Sequence, residues 1–230
     1  MKFDIHTHIL PKIDDGAKNV EQSVALVEKL SSQGVTHIAL TPHFYSNEES
    51  MDKFLEKRKK SFDKFIEKAP KNVTYTIGAE VYFSEYLFNN KSIKELCYKN
   101  TNYLLIEFPY NTTFTGKSEN DLYKLISDYG VKPVLPHIER YPSILDNYKM
   151  LEKLIGMGCT AQINLDSLNS FMTKRKILKL FKRGLISYVG TDTHSFTKGS
   201  EFESGYSLLE QKIENFSNSM QKNSKVLFVE

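Results

Sequence analysis

The sequence predicts one α/β domain over residues 1–230, with strands and helices alternating around a closed barrel. Three observations carry this reading. Short apolar β-rich runs alternate with longer helical patterns along the whole chain, glycines stand where the helices should stop, and five of the six histidines lie with acidic residues at the ends of the strand runs. Regular βα alternation favours a parallel sheet with helices outside. A length of 230 residues at 40% hydrophobic content suits a single core closed into a barrel. A doubly wound open sheet is the structural alternative.

The elements follow in order. Lys2-Phe3-Asp4-Ile5-His6 reads as the first strand, 2–6, and a helical pattern over 19–33 stops at Gly34. Strand two spans 35–41, and the helical pattern 51–68 follows it. Strands three and four are expected at 73–79 and 103–108, with a less regular helical stretch at 84–99 between them. Helix 118–129 stops at Gly130 before strand five, 131–136, and helix 142–157 stops at Gly158 before strand six, 160–165. Helix 170–183 stops at Gly184 before strand seven, 186–191, and a helix at 205–220 ends the pattern. Repeats beyond the βα unit, low-complexity stretches and linkers are not found.

Composition narrows the functional classes. The net charge of +3 is too mild to point to nucleic acid by itself. Of two basic clusters, Lys57–Lys60 and Lys174–Arg183, the second places Ile177, Leu178, Leu180 and Phe181 on one helical face, which makes its cations the solvated side. No run approaches the roughly 18 apolar residues of a membrane span, and no secretion signal opens the chain. Cys97 and Cys159 lie far apart outside any metal or redox pattern, so a cytoplasmic location is expected and both read as core thiols.

The histidines carry the chemistry. On a strand, alternate side chains share a face, so His6 and His8 point together about 6.6 Å apart and can converge on one ion. Asp192-Thr193-His194 repeats that spacing after an apolar run at the other end of the sequence. His43 follows strand two, Glu80 strand three and His137 strand five, while Glu107 closes strand four. In a parallel barrel all these carboxyl ends open on one face, where active sites are assembled. His37 is the internal control: six residues before His43 on the same strand, it lies about 20 Å away and is assigned a packing role.

Five histidines with Glu80, Glu107, Asp192 and one of Asp14 or Asp15 supply more donors than one ion can use. Two or three divalent ions, with Glu80 bridging, would occupy the set. Glu80 and Glu107 interrupt or end apolar strands, where an unpaired charge is costly. Imidazole and carboxylate without thiolate suit Mn, Fe or Zn. Such ions activate water and clamp phosphoryl or carbonyl oxygens, so hydrolysis is the expected reaction class. Arg140, three residues after His137, could fork onto two phosphoryl oxygens, which favours phosphate esters over amides. The bland alternative is a surface arginine paired with Glu139 or Asp146.

These residues, read together, resemble a known family. His6-Thr7-His8-Ile9-Leu10-Pro11, Asp14-Asp15-Gly16-Ala17, Thr41-Pro42-His43, Gly78-Ala79-Glu80, Glu107-Phe108-Pro109, Pro136-His137-Ile138-Glu139-Arg140-Tyr141 and Asp192-Thr193-His194 resemble the polymerase-and-histidinol-phosphatase (PHP) superfamily. Within it they are most similar to the CpsB-type protein-tyrosine phosphatases of bacterial capsule and exopolysaccharide gene clusters. The resemblance implies a distorted (β/α)7 TIM-like barrel, the PHP fold, holding up to three ions, commonly manganese, with Zn, Fe, Mg or Co as other occupants. It implies a first ion on His6, His8, Glu80 and Asp192, a second on Asp14, His43 and His194, and a third on Glu80, Glu107 and His137. It also gives Asp14 and His43 catalytic roles and Arg140 a phosphate-binding one. The implied partner is a cytoplasmic tyrosine kinase with a Tyr-rich tail, dephosphorylated during polysaccharide chain-length control; neither nucleic acid nor membrane insertion is expected, and a homo-oligomer is compatible. One departure stands out: where relatives carry an arginine soon after the Asp-x-His motif, this chain offers Lys198, which supplies charge without a bidentate fork.

A phosphotyrosine leaving group is a phenol with pKa near 10, so it departs with less protonation than an alkyl alcohol requires. Phe44, Tyr45, Tyr82, Phe83, Phe108, Tyr110, Phe114, Tyr141 and Phe196 flank the expected ligands and can wall an aromatic ring, and the loop 111–116 is a candidate rim. Alternatives are a small-molecule phosphatase of the histidinol phosphate type, a PHP-type nuclease with stronger positive charge around its cup, and a metal-binding regulatory domain with Arg140 turned outward.

Overall fold

In a computed structural model, which describes residues 1–229, the strands form a closed, wholly parallel barrel whose seven staves match the seven expected. Two staves are broken. β1 (Lys2–Asp4) pairs with β2 (Val35–Leu40), and β2 with β4 (Thr74–Ile77). β3 (His43–Tyr45) and β5 (Glu80–Tyr82) continue the lines of β2 and β4, and pair with each other. β6 (Tyr103–Glu107), β7 (Lys132–Leu135), β8 (Thr160–Asn164) and β9 (Tyr188–Gly190) complete the order β3-β5-β6-β7-β8-β9. Pro42 explains the first break, because it has no N–H to donate; its carbonyl still accepts from Glu80 N at 3.0 Å, which keeps the two lines in register.

Closure between the first and last staves occurs at their carboxyl ends. Asp192 N donates to His6 O at 2.9 Å and His8 N to Thr193 O at 2.8 Å, with a parallel bridge between Thr7 and Thr193. Asp4 reinforces this seam: its carboxylate accepts from Thr191 N at 3.0 Å and Thr191 Oγ1 at 2.5 Å. Burial pushes the Asp4 carboxyl up to about 6, although the Thr191 and His6 hydrogen bonds pull the other way.

The helices α1 (Val20–Ser32), α2 (Met51–Lys68), α3 (Lys117–Ser127) and α6 (Phe171–Lys182) stand near the expected bounds. Gly34, Gly130, Gly158 and Gly184, the four expected stops, all take positive φ just past helix ends. Three expectations change. Helix 142–157 divides into α4 (Pro142–Leu145) and α5 (Tyr148–Gly156) at Asp146-Asn147. Helix 205–220 becomes α7 (Glu203–Lys212) and α8 (Phe216–Lys225), separated by an extended Ile213 and a left-handed Asn215. The stretch 84–99 forms two short 3-10 turns, Glu85–Asn89 and Ile93–Leu96, because the Asn90 side chain donates to the carbonyls of Leu87 and Tyr86 and so competes with helix propagation.

A large apolar layer lies between strands and helices, and a smaller cluster containing Phe3, Ile5, Ala39, Leu105, Val134 and Tyr188 fills the barrel beneath the cup. His37 belongs to that lower end, with its ring 4.2 Å from Phe3 and 5.3 Å from Phe228. Cys97 and Cys159 are buried free thiols. No helix among the described residues is long and apolar enough to cross a membrane.

The seam gives a stability prediction. Asp4→Ala leaves the Thr191 N–H and hydroxyl without their acceptor, and is expected to cost about 1–3 kcal/mol, or roughly 3–10 °C in Tm. Thermal unfolding in chelator measures this; an unchanged Tm would show that the backbone seam holds without the carboxylate.

Candidate metal centre

At the carboxyl ends of the strands, the side chains converge on Glu80, the first residue of β5. Its Oε2 lies 3.1 Å from His6 Nε2, 3.2 Å from His8 Nε2 and 3.1 Å from His43 Nδ1, while Oε1 lies 2.9 Å from His137 Nε2. Asp192 Oδ1 completes a first group at 3.3 Å from His8 Nε2 and 3.6 Å from His6 Nε2, which are themselves 3.2 Å apart. Donors about 2.0–2.2 Å from a tetrahedral ion stand about 3.3–3.6 Å from one another. His6, His8, Glu80 and Asp192 therefore already have the separations of a four-coordinate shell.

A second group comprises Asp15, His43 and His194. Asp15 Oδ1 lies 3.2 Å from His194 Nε2 and 3.8 Å from His43 Nε2. His194 donates from Nδ1 to the Asp192 carbonyl at 2.8 Å, which leaves Nε2 as a bare acceptor, buried and without a hydrogen-bond partner among the described residues. In the third group, His137 Nε2 is 3.4 Å from Glu107 Oε1 as well as 2.9 Å from Glu80.

One expected ligand is displaced. Asp14 is not the carboxylate that faces His43 and His194: its Oδ2 is 2.8 Å from His8 Nδ1 and accepts from His43 N at 3.0 Å, and its Oδ1 accepts from Gly16 N at 3.0 Å. Asp15 takes the position assigned to it. The cause is the tight Asp14-Asp15-Gly16 turn, which folds so close to His8 that a Cβ on Gly16 would stand 1.9 Å from the His8 carbonyl. Asp14 instead pairs with His8 Nδ1, a carboxylate–imidazole contact that would leave Nε2 as the nitrogen facing an ion.

Two ligand positions sit in the left-handed backbone region, His137 at φ +32 and Asp192 at φ +57. Each follows the end of a strand and turns its side chain across the mouth, and such strain persists where the surroundings hold it. His137 opens the turn that swings Arg140 inward. Arg140 Nη2 donates to Asp192 Oδ2 at 2.7 Å and Nη1 to Tyr110 Oη at 3.3 Å. Glu139 points the other way, accepting from Asn164 N and Ser167 Oγ, so Arg140 pairs with neither Glu139 nor Asp146. The side chains of Tyr45, Tyr82, Phe108 and Tyr110 line a cavity of about 310 Å³ with Arg140 and, at its lip, an exposed Lys198. Phe44, Phe114 and Tyr141 are core residues, and the buried Phe114 anchors the loop expected as a rim.

Charge crowding suits this donor set to cations. Burial would raise the Glu80 carboxyl, but the charge of His6 and hydrogen bonds from His137, His6 and His8 hold it well below the usual range. Glu107 is pushed up to about 7 by burial and by the charge of Glu80, and burial with the charge of His8 brings His194 down to about 4. Several carboxylates thus compete for too few positive neighbours, while imidazole lone pairs lie idle. Divalent ions at these positions would relieve both conditions.

A family model described as "Capsular polysaccharide synthesis, CpsB/CapC" matches residues 2–227. The chain belongs to the CpsB/CapC family. Tyrosine-protein phosphatase CpsB of Streptococcus pneumoniae is 31% identical over an alignment covering 99% of this chain and 95% of that protein. The putative tyrosine-protein phosphatase CapC of Staphylococcus aureus is 33% identical over 84% of this chain and 77% of its own length. A chain from work described as crystal structures of YwqE from Bacillus subtilis and CpsB from Streptococcus pneumoniae, unique metal-dependent tyrosine phosphatases, superposes with a TM-score of 0.82 at 25% identity, covering 98% of this chain and 94% of the matched one. The phosphotriesterase homology protein of Escherichia coli, at TM-score 0.55 and 14% identity, shares the barrel alone.

Within the CpsB/CapC barrel, two contributors, Gln162 and Asn164, escaped the sequence reading, and the choice between Asp14 and Asp15 was left open by it. Asp15 was one of two neighbours that only the turn geometry separates. Gln162 and Asn164 on β8 are buried and bonded to the ligand residues; their period-2 spacing in the apolar run Thr160-Ala161-Gln162-Ile163-Asn164 was the available signal.

The Asp14/Asp15 assignment is testable by metal analysis. Asp15→Ala is expected to remove one bound ion per chain, whereas Asp14→Ala is expected to weaken binding about 10–100-fold through His8 with stoichiometry recovered at high metal. The opposite pattern would return Asp14 to the ligand set.

Proposed function

We propose that residues 1–230 form a single metal-dependent phosphomonoesterase domain that hydrolyses phosphotyrosine on a protein partner, and that His6, His8, Asp15, His43, Glu80, Glu107, His137, Asp192 and His194 hold two to three divalent ions, manganese foremost. The observation that carries this is the convergence on Glu80 of imidazoles and carboxylates from both ends of the sequence, beside an inward-facing arginine. The names of the relatives, tyrosine-protein phosphatases, agree with it. Bound ions of this kind bring the pKa of water down toward 7 and offset charge on phosphoryl oxygens.

The chain's own residues supply the rest. Arg140, its fork already aimed at the cup, is placed to bind two phosphoryl oxygens once substrate competes with Asp192 and Tyr110. Asp14 fixes His8, and His43 stands at the junction between Glu80 and Asp15. Tyr45 and Tyr82, with ring centroids 5.6 Å apart, and Tyr110 offer aromatic walls for a phenyl ring. Lys198 Nζ, 3.7 Å from Asp15 Oδ2, adds positive charge at the lip. A phenolate leaving group needs little protonation, which fits a cup with no unassigned acid at its centre.

The partner most consistent with the family is a cytoplasmic tyrosine kinase with a Tyr-rich tail that controls capsular or exopolysaccharide synthesis. A nuclease would call for a cationic approach to the cup, yet the residues lining it include Asp15, Glu80, Glu107 and Asp192 against Arg140 and Lys198. A regulatory domain without turnover is disfavoured by the open cavity and the inward Arg140. A small-molecule phosphatase remains the second reading, since the aromatic walls would also seat an imidazole ring.

Purified protein is expected to hydrolyse an aryl phosphate with added Mn²⁺ and to stop in chelator; activity undiminished after stripping would refute the mechanism. Parallel rates on phosphotyrosine peptide, phosphoserine peptide, histidinol phosphate and single-stranded DNA should rank phosphotyrosine first. Arg140→Ala should lower kcat/KM about 100–1,000-fold with metal content unchanged. Loss of metal instead would make Arg140 a structural partner of Asp192.

A further inference from the structure

Strand β8 gives no side chain to the proposed ligand set, yet its two buried amides are bonded to ligand residues that follow three other strands. Gln162 Oε1 lies 2.9 Å from the backbone N of His137 and 3.3 Å from His6 Nδ1. Gln162 Nε2 donates to Asn164 Oδ1 at 2.8 Å, and Asn164 Nδ2 donates to Asp192 Oδ2 at 3.1 Å. The three ends of this chain of contacts come from the segments after β1, β7 and β9.

The chain has one possible direction. An amide nitrogen only donates and an amide oxygen only accepts. At one end stands Asp192 Oδ2, which already accepts from the Arg140 guanidinium at 2.7 Å and so faces the amide as an acceptor. At the other end stands the His137 backbone N–H, which can only donate. Turning either amide over would set oxygen against oxygen or N–H against N–H, at two side chains that are buried and so pay fully for the mismatch. With both amides locked, Gln162 Oε1 can do nothing but accept from His6 Nδ1. The His6 ring must therefore carry a proton there, and its Nε2 is the nitrogen presented to His8, Glu80 and Asp192.

The surroundings fit this placement. Glu139 Oε1 accepts from Asn164 N at 3.0 Å and Ser167 Oγ at 2.7 Å, tying β8 to the turn that carries Arg140. On the opposite side, a Cβ at Gly190 would stand 2.9 Å from His6 Cβ and 3.0 Å from Gln162 Nε2. Nothing larger than glycine allows β9 to lie against both.

We propose that Gln162 is a positioning residue that sets the tautomer of His6 and holds the strained His137 backbone, so that one neutral side chain couples the first and third ligand groups. This rests on the metal-centre part of the proposed function and not on phosphatase turnover. Outer partners of ligating histidines typically change metal affinity 10–100-fold when removed, and here both groups respond to one change.

The test uses the full chain loaded with Zn²⁺, which is diamagnetic, read by imidazole NMR and by zinc titration. Wild-type His6 is expected to bind through Nε2 with a slowly exchanging proton on Nδ1. Gln162→Leu should lose that slow exchange and weaken zinc binding about 10–100-fold in the first and third groups together. Gln162→Glu keeps an acceptor for His6 and His137 but sets a second oxygen and a charge against Asn164 Oδ1, so it should retain the protected Nδ1–H, and loss of that proton would overturn the proposal. A wild-type His6 that coordinates through Nδ1, or a folded Gln162→Leu with wild-type zinc affinity, would overturn the proposal. Should Gln162→Leu fail to fold by circular dichroism, the wild-type spectrum and Gln162→Glu still decide it. Absence of aryl phosphate hydrolysis in every sample would count against the catalytic reading alone.

Discussion

Glu80 carries its charge at a nearly fully buried position, and that single anion organises the mouth of the barrel. Its two oxygens face four imidazoles from three different strand lines. An isolated carboxylate there would be prohibitively costly, and Asp192 and Glu107 make the crowding worse. The arrangement is tolerable because each acid is held among nitrogens and because the whole set can share cations. Packing beneath the cup then becomes secondary: the apolar plug of Phe3, Ile5, Leu105, Val134 and Tyr188 serves as a floor that keeps polar groups from sinking out of register.

Much of this was legible in the sequence, and for identifiable reasons. The His6/His8 and Asp192/His194 pairs betray themselves by period-2 spacing beside apolar runs, and parallel strands send all such residues to one face. The seven staves and four helix-stopping glycines follow from patterning that is local. What escaped depends on geometry that is not. Asp14 and Asp15 are chemically identical neighbours, and only the close approach of Gly16 to the His8 carbonyl decides which one faces the histidines. The interruption of helix 205–220 hinges on Asn215 adopting a left-handed backbone, a conformation that asparagine tolerates but does not require. Gln162 and Asn164 are neutral, so they give none of the cost signal that marks a charged residue in an apolar strand.

Neutral amides and charged ligands also divide the labour. The carboxylates and imidazoles supply affinity, but each can rotate or switch tautomer, and their mutual attraction has little directional preference. Gln162, Asn164 and Asp14 supply direction. Asp14 fixes His8 from the outside of the cup, the amides of β8 address His6, His137 and Asp192 from below, and the backbone carbonyl of Asp192 fixes His194. Every ring nitrogen so engaged leaves its opposite number free to face inward.

The seam between the first and last staves has one more implication. Its backbone bonds run through His6, His8, Asp192 and Thr193, so joining the two ends of the sheet and assembling the first ligand group are one event. A nascent polypeptide emerging from the ribosome presents His6 and His8 early, but their companions arrive only after most of the chain has been synthesised. Until then an ion meets two exposed imidazoles instead of a cage. The first group is therefore complete only when the two ends of the sheet have met.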